Sequence, residues 1–162
     1  MTTRHLALYT PGGASDESVT ARFPEPVSLR SSGGGSSGLF LDIVAIITVV
    51  PAQIGTVPTL WSAHTAMYQY RLLDRDQTEL LVYHWQPGPE YAGPDHPHLH
   101  VSAALRAKAD AVTTREIGLD KLHIATGLVS LAAIVRMLIA EFGVAPQRAD
   151  WRETLDRIEA AS

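Results

Sequence analysis

Residues 65–86 read TAMYQYRLLDRDQTELLVYHWQ, and this stretch decides the fold class. Tyr68, Tyr70 and Leu72 fall on one side of an extended chain and Met67, Gln69 and Arg71 on the other, the two-residue alternation of a half-buried strand. Asp74, Arg75, Asp76 and Gln77 bring turn chemistry, and Thr78 to Gln86 resumes as a strand, so an antiparallel hairpin is predicted. Upstream, Leu39 to Val50 (LFLDIVAIITVV) is rich in β-branched residues and apolar on both faces, which predicts a central strand. It is interrupted by Asp42, closed by Pro51 and far shorter than the roughly 20 apolar residues of a membrane helix. Downstream, Pro87 to Pro97 (PGPEYAGPDHP) must be a loop because of its prolines and glycines, and His98 to Leu105 is predicted as the next strand.

The period then changes from two to 3.6. Leu131, Ile134, Val135, Leu138, Ile139 and Phe142 form one helical stripe, with Ser130 as N-cap and Gly143 as the stop. Asp150 and Glu153 have capping-box spacing, and Trp151, Leu155 and Ile158 mark one face of a final short helix. Strands followed by helices predict an α+β fold, with an antiparallel sheet of about four to five strands packed on one face by two C-terminal helices. Residues 11–38 contain PGGASDES, FPEP and SSGGGSSG, too little apolar surface to offset ordering entropy. The expected division is therefore a flexible N-terminal arm or loop over 1–38, with a short strand anchored by Phe23, Val27 and Leu29 as an option, and a single α+β domain over 39–162.

The 162-residue chain has 13 Lys and Arg against 17 Asp and Glu, a net charge of −4, and no run of basic residues. Nucleic acid and anionic membrane surfaces both call for a basic face, so neither is an expected partner. Cysteine is absent, which excludes disulfides, thiolate ligands and Cys nucleophiles and makes a reducing, cytoplasmic location the natural expectation. The opening MTTRHLALYT is too short and polar for a secretory signal.

Four of the seven histidines, His84, His96, His98 and His100, lie within seventeen residues. In the predicted strand His98, His100 and Ser102 share one face, while Leu99, Val101, Ala103 and Leu105 take the other and must point to the core. Same-face residues are about 7 Å apart at Cα, close enough for two imidazoles to converge on one ion. His84, His98 and His100 are thus the candidate ligands for Zn²⁺ or another divalent transition metal, with Asp42, His123 or Asp95 as candidates to complete the set. The competing reading is a polar sheet face whose imidazoles hydrogen-bond to their neighbours. Ser102 joins His84, His98 and His100 as a candidate ligand-binding residue. Thr126, Gly127 and Ser130, at the start of the helix, are read as caps before they are read as an anion site.

HPHLHVS (residues 96–102) resembles the His-x-His-x-His signature of the histidine triad nucleotide hydrolases; carried over, it makes His98 the candidate catalytic nucleophile, with His96 and His100 orienting it. Pro97 departs from that pattern, because proline is confined to the start or edge of a strand, which places His96 in the loop. His100-Val101-Ser102 resembles one half of the motif of the two-histidine phosphoesterases, but His123-Ile124-Ala125-Thr126 sets its hydroxyl one position too far for the second half. Taken together, YQYRLLDRDQTELLVYHWQP, HPHLHVS and LHIATGLVSLAAIVRMLIAEFGVAPQRADW resemble a small family of bacterial proteins with no assigned activity. The hairpin followed by Pro97-His98-Leu99-His100 is distantly similar to the TumE-type toxins of toxin–antitoxin pairs, which would imply an RNA- or nucleotide-directed activity and a neutralising protein partner. The leading expectation is a small bacterial protein acting through protein interaction, with a partner chain or a second copy, and carrying a His-lined ligand face. The alternative is a metal- or histidine-dependent hydrolase or phosphodiesterase acting on nucleotides or RNA.

Overall fold

The computed structural model describes residues 7–9, 18–54, 57–102 and 123–160. Its centre is the pair formed by β4 (Ser36–Ile54) and β5 (Val57–Leu73), antiparallel neighbours that extend the two predicted strands toward each other. β6 (Glu79–Trp85) pairs with β5 in the expected hairpin, placing Leu72 opposite Leu81, Tyr70 opposite Tyr83 and Gln69 opposite His84. The Asp74 carboxylate accepts from the backbone N–H groups of Asp76 and Thr78 at 2.8 and 2.9 Å, so this side chain closes the turn. Gln77 completes it in the left-handed region at φ 61°.

β7 (His98–Val101) pairs with β6, and β8 (Ile124–Ala125) pairs with β7. β7 is shorter than predicted, and residues 103–105 of the expected strand lie outside the described residues. On the other side of β4 lie β2 (Ser18–Arg22) and β3 (Val27–Arg30), with β1 (Ala7–Tyr9) beyond β2. Among the described residues the result is an eight-stranded antiparallel sheet, larger than the four or five strands expected.

The difference comes from residues 18–38. β2 pairs with Val44–Thr48 and β3 with Ser36–Leu41, along the same edge of β4. One strand position is thus filled in two pieces, because Pro24 and Pro26 between them lack the N–H groups a continuous ladder needs. Phe23, Val27 and Leu29 are anchors as expected: Val27 and Leu29 are buried and Phe23 packs against the core. The Gly/Ser run is a turn from β3 into β4 in which Gly34, Gly35 and Gly38 all have positive φ, and Ser31 and Gly35 bond across it at 3.0 Å. Composition signalled glycine-dependent geometry there, and it resembles the composition of a loose arm. Residues 1–6 and 10–17 of the proposed arm lie outside the described residues.

Helix α1 (Leu131–Ala140) begins as expected, with the Ser130 hydroxyl accepting from the Ala133 N–H at 3.0 Å. Ser130 is therefore engaged as a cap. Gly143, at φ 64°, ends the segment, and the chain returns to the sheet where Ala145 donates to the Arg30 carbonyl at 2.8 Å. Ile134 and Leu138 of α1 sit over Leu41, Ile43, Ala45, Tyr68, Tyr70 and Leu72 in one buried cluster, completed by Leu29 and Val144. Helix α2 (Trp151–Ala160) packs against α1, buries Leu155 and is held by Arg136, which pairs with Asp156 at 2.7 Å and Glu159 at 3.0 Å. Asp150 precedes α2 as expected of its cap, but its carboxylate is engaged by Arg148 at 2.7 and 2.8 Å.

The helix pair thus covers the Tyr68/Tyr70/Leu72 face of the sheet. Gln69, Arg71, Val82, His84, His98 and His100 lie on the face the helices leave uncovered. No helix among the described residues is long and apolar enough to cross a membrane.

Leu138 is 1% exposed at the centre of the helix–sheet contact. Leu138→Ala is expected to destabilise the fold by about 3 kcal/mol, within the range for buried leucine truncations, as read by the urea midpoint. Gln77→Gly removes a left-handed side-chain conformation and is expected to raise stability by about 0.5–1 kcal/mol in the same assay.

Candidate metal centre

Strand register builds this site. His84 and His98 are direct cross-strand partners on β6 and β7, and His100 follows His98 by one two-residue step on the same face. The ring centroids of His84 and His98 are 5.3 Å apart, those of His98 and His100 are 4.8 Å apart, and those of His84 and His100 are 6.4 Å apart. One ring nitrogen from each of the three lies within 4.8 Å of the others. A tetrahedral ion with metal–nitrogen bonds of 2.0–2.1 Å spaces its ligand nitrogens about 3.3 Å apart, so small ring rotations would close the triad on an ion. Three imidazoles that can coordinate a divalent metal therefore stand together, and His84 and His98 are buried.

His98 is the most constrained of them. Its exposure is 0%, and its Nδ1 lies 2.8 Å from the His96 carbonyl oxygen. A carbonyl only accepts, so Nδ1 carries the proton and Nε2 of the neutral ring presents a lone pair. That Nε2 is buried and has no hydrogen-bond partner among the described residues. Orientation of one imidazole nitrogen by a backbone carbonyl, with the other left free, is the arrangement that prepares a histidine as a metal ligand. His84 has a comparable support, since its Nδ1 is 3.2 Å from the Tyr91 hydroxyl, whose ring also stands edge-on to the imidazole.

Electrostatics favour the uncharged rings that a metal needs. Burial lowers the pKa of His84, the nearby His98 lowers it further, and a hydrogen bond with Gln86 works the other way. Burial likewise lowers that of His100, followed by His123, His98 and His84, with Glu79 opposing.

The other predicted participants divide clearly. His123, immediately before β8, stands 4.5 Å from His100 and 5.2 Å from His98, centroid to centroid, and so belongs to the same group. Asp42 is held by Arg71, whose Nε also bonds it at 3.0 Å, and it is not among the residues brought to the triad. Asp95 projects into solvent in the loop and contacts the half-exposed His96 at 3.5 Å. His96 precedes β7, as Pro97 requires, and contributes its carbonyl to His98. Ser102 donates its backbone N–H to the Leu80 carbonyl at 3.0 Å and lines a cavity of about 380 Å³ with Gln69, Glu79, Val82, Tyr91 and His100.

Tyr91, Gln69 and Glu79 were not singled out by sequence reasoning. Gln69 was accessible to it, because the Asp74 turn fixes the hairpin register that sets Gln69 opposite His84. Tyr91 carried no such signal, since a proline-rich loop has no period from which to infer where it folds back.

No protein-family model, curated protein or solved structure matches the chain.

Because burial holds the folded-state pKa values of His84 and His100 below the ordinary histidine value of about 6.5, the unfolded chain binds more protons in the interval between. Their contribution to stability is present above pH 6.5 and is lost as the pH falls through the folded-state values. Urea midpoints of the metal-free protein should therefore decline below pH 6.5, and the double variant His84→Gln/His100→Gln should flatten that part of the profile.

Proposed function

We propose that this protein binds a divalent transition metal, Zn²⁺ being the closest chemical match, through His84, His98 and His100. The observation that carries the reading is the fully buried His98, whose Nε2 lacks a partner while two further imidazoles stand beside it. A buried polar atom left unpaired costs about 1–3 kcal/mol, and a bound ion removes that cost. All-nitrogen ligation suits Zn, Ni, Cu and Fe, and a chain without cysteine has no thiolate with which to compete. Full burial of His98 supports a ligand role over that of a nucleophile, which has to reach the atom it attacks. An ion on this face also gives physical content to the expected His-lined ligand surface, since it is a fixed positive charge on the side of the sheet opposite the helices.

Isothermal titration with ZnCl₂ at pH 7.5 is expected to show one equivalent bound. The melting temperature should rise, with an added stability of about 2.7 kcal/mol at a free zinc concentration 100 times Kd. His98→Ala and His100→Ala should each remove most of the affinity, and because His100 is only partly buried its variant reports on the ligand without a large packing change. Absence of stoichiometric binding and of any thermal shift with Zn²⁺, Ni²⁺, Co²⁺ and Cu²⁺ would overturn the proposal.

A further inference from the structure

Among the described residues, β8 is a two-residue edge strand with little to hold it. Its register to β7 consists of His98 opposite Ala125 and Leu99 opposite Ile124, extended by the Thr126 N–H donating to the Pro97 carbonyl at 2.8 Å. Apolar burial contributes little, because Ile124 is 45% exposed and His123 and Ala125 are exposed as well. The same register carried one step further sets His123 across from His100. Three adjacent strands thereby present imidazoles on one face: His84 from β6, His98 and His100 from β7, and His123 from the start of β8.

Four of the six ring pairs have the spacing one ion would require, while His84 and His100 stand 6.4 Å apart and His123 lies outside the set of ring nitrogens within 4.8 Å of one another. An imidazole bound at 2.0–2.1 Å has its ring centre about 3 Å from the metal, so tetrahedral ligands have ring centres about 5 Å apart. His84 to His98, His98 to His100, His98 to His123 and His100 to His123 measure 5.3, 4.8, 5.2 and 4.5 Å. His123 is exposed and His98 is buried, so the adjustment that brings His123 toward His84 falls on the His123 side-chain torsions.

We propose that His123 supplies the fourth ligand to the ion and that metal binding is what clasps β8 to β7. This rests on the triad reading and extends it, since a four-imidazole site is coordinatively closed and acts by joining chain segments. The metal then regulates the sheet edge. Without the ion β8 is held by a few backbone hydrogen bonds, and with it the segment is cross-linked to two inner strands. A short edge strand is the kind of element that opens locally at low free-energy cost, so a single coordination bond is enough to change its occupancy.

The experiment uses the full chain, with and without one equivalent of Zn²⁺ or Co²⁺, as wild type and as His123→Ala. X-ray absorption should count four imidazole nitrogens around the metal in the wild type, and three plus an oxygen donor in the variant. Hydrogen exchange at the amides of Ile124, Ala125 and Thr126 should slow by about tenfold or more on metal loading in the wild type and change little in the variant. The exposed position of His123 makes loss of folding an unexpected outcome, and His123→Gln, which keeps a polar side chain, should behave as the alanine variant does. Metal binding with the same number of imidazole ligands and the same amide protection in His123→Ala as in the wild type would overturn the clasp while leaving the triad intact. Failure of the wild type to bind any metal would overturn the triad and, with it, the clasp.

Discussion

Successive side chains on a β-strand point to opposite faces, and once one face is covered by helices the chemistry of the other face is settled for every strand in the sheet. Here the covered face is defined by Tyr68, Tyr70 and Leu72 on β5, with Leu41, Ile43 and Ala45 on β4, beneath Ile134 and Leu138 of α1. Tyr68 and Tyr70 stack at 4.8 Å, and the Tyr68 hydroxyl accepts from the Val129 N–H at 3.2 Å, just ahead of α1. The helix-side packing therefore reaches into the chain segment that carries β8 and His123.

From that contact the opposite face follows. Asp42, Gln69, Arg71, His84, His98 and His100 all lie one residue out of phase with core positions. Asp42, 6% exposed, is paired with Arg71. The imidazoles have one another, a backbone carbonyl and the Tyr91 hydroxyl. The buried Asp42 carboxylate is tolerable because the half-buried Arg71 balances its charge, whereas the His98 Nε2 has no hydrogen-bond partner among the described residues. The sheet face thus separates a structural polar pair on β4 and β5 from the histidine cluster on β6 and β7.

Local patterns made much of this legible in the chain. The Asp74–Gln77 turn between two alternating segments specifies the hairpin and its register, and the Ser130 to Gly143 pattern specifies α1 with both of its ends. His98 and His100 share a face for the simple reason that they are two residues apart. The run of residues 18–38 was not legible in the same way. Its glycines, serines and prolines are what a flexible tether uses, and they are also what a broken edge strand followed by a tight positive-φ turn uses; only pairing with β4 tells the two apart.

What the sequence by itself determined is therefore the central strand, the hairpin, the histidine strand and the two helices, with the face each of their residues occupies, because period and turn chemistry act over a few residues. The tertiary structure alone decided that the helices cover the tyrosine face, that Asp42 is taken by Arg71, and that His123, more than twenty residues beyond His100, returns to stand beside it. Those outcomes depend on which strands become neighbours and on where a loop folds back. Contacts between segments distant along the chain arise from the packing of the whole sheet, and no local period encodes them.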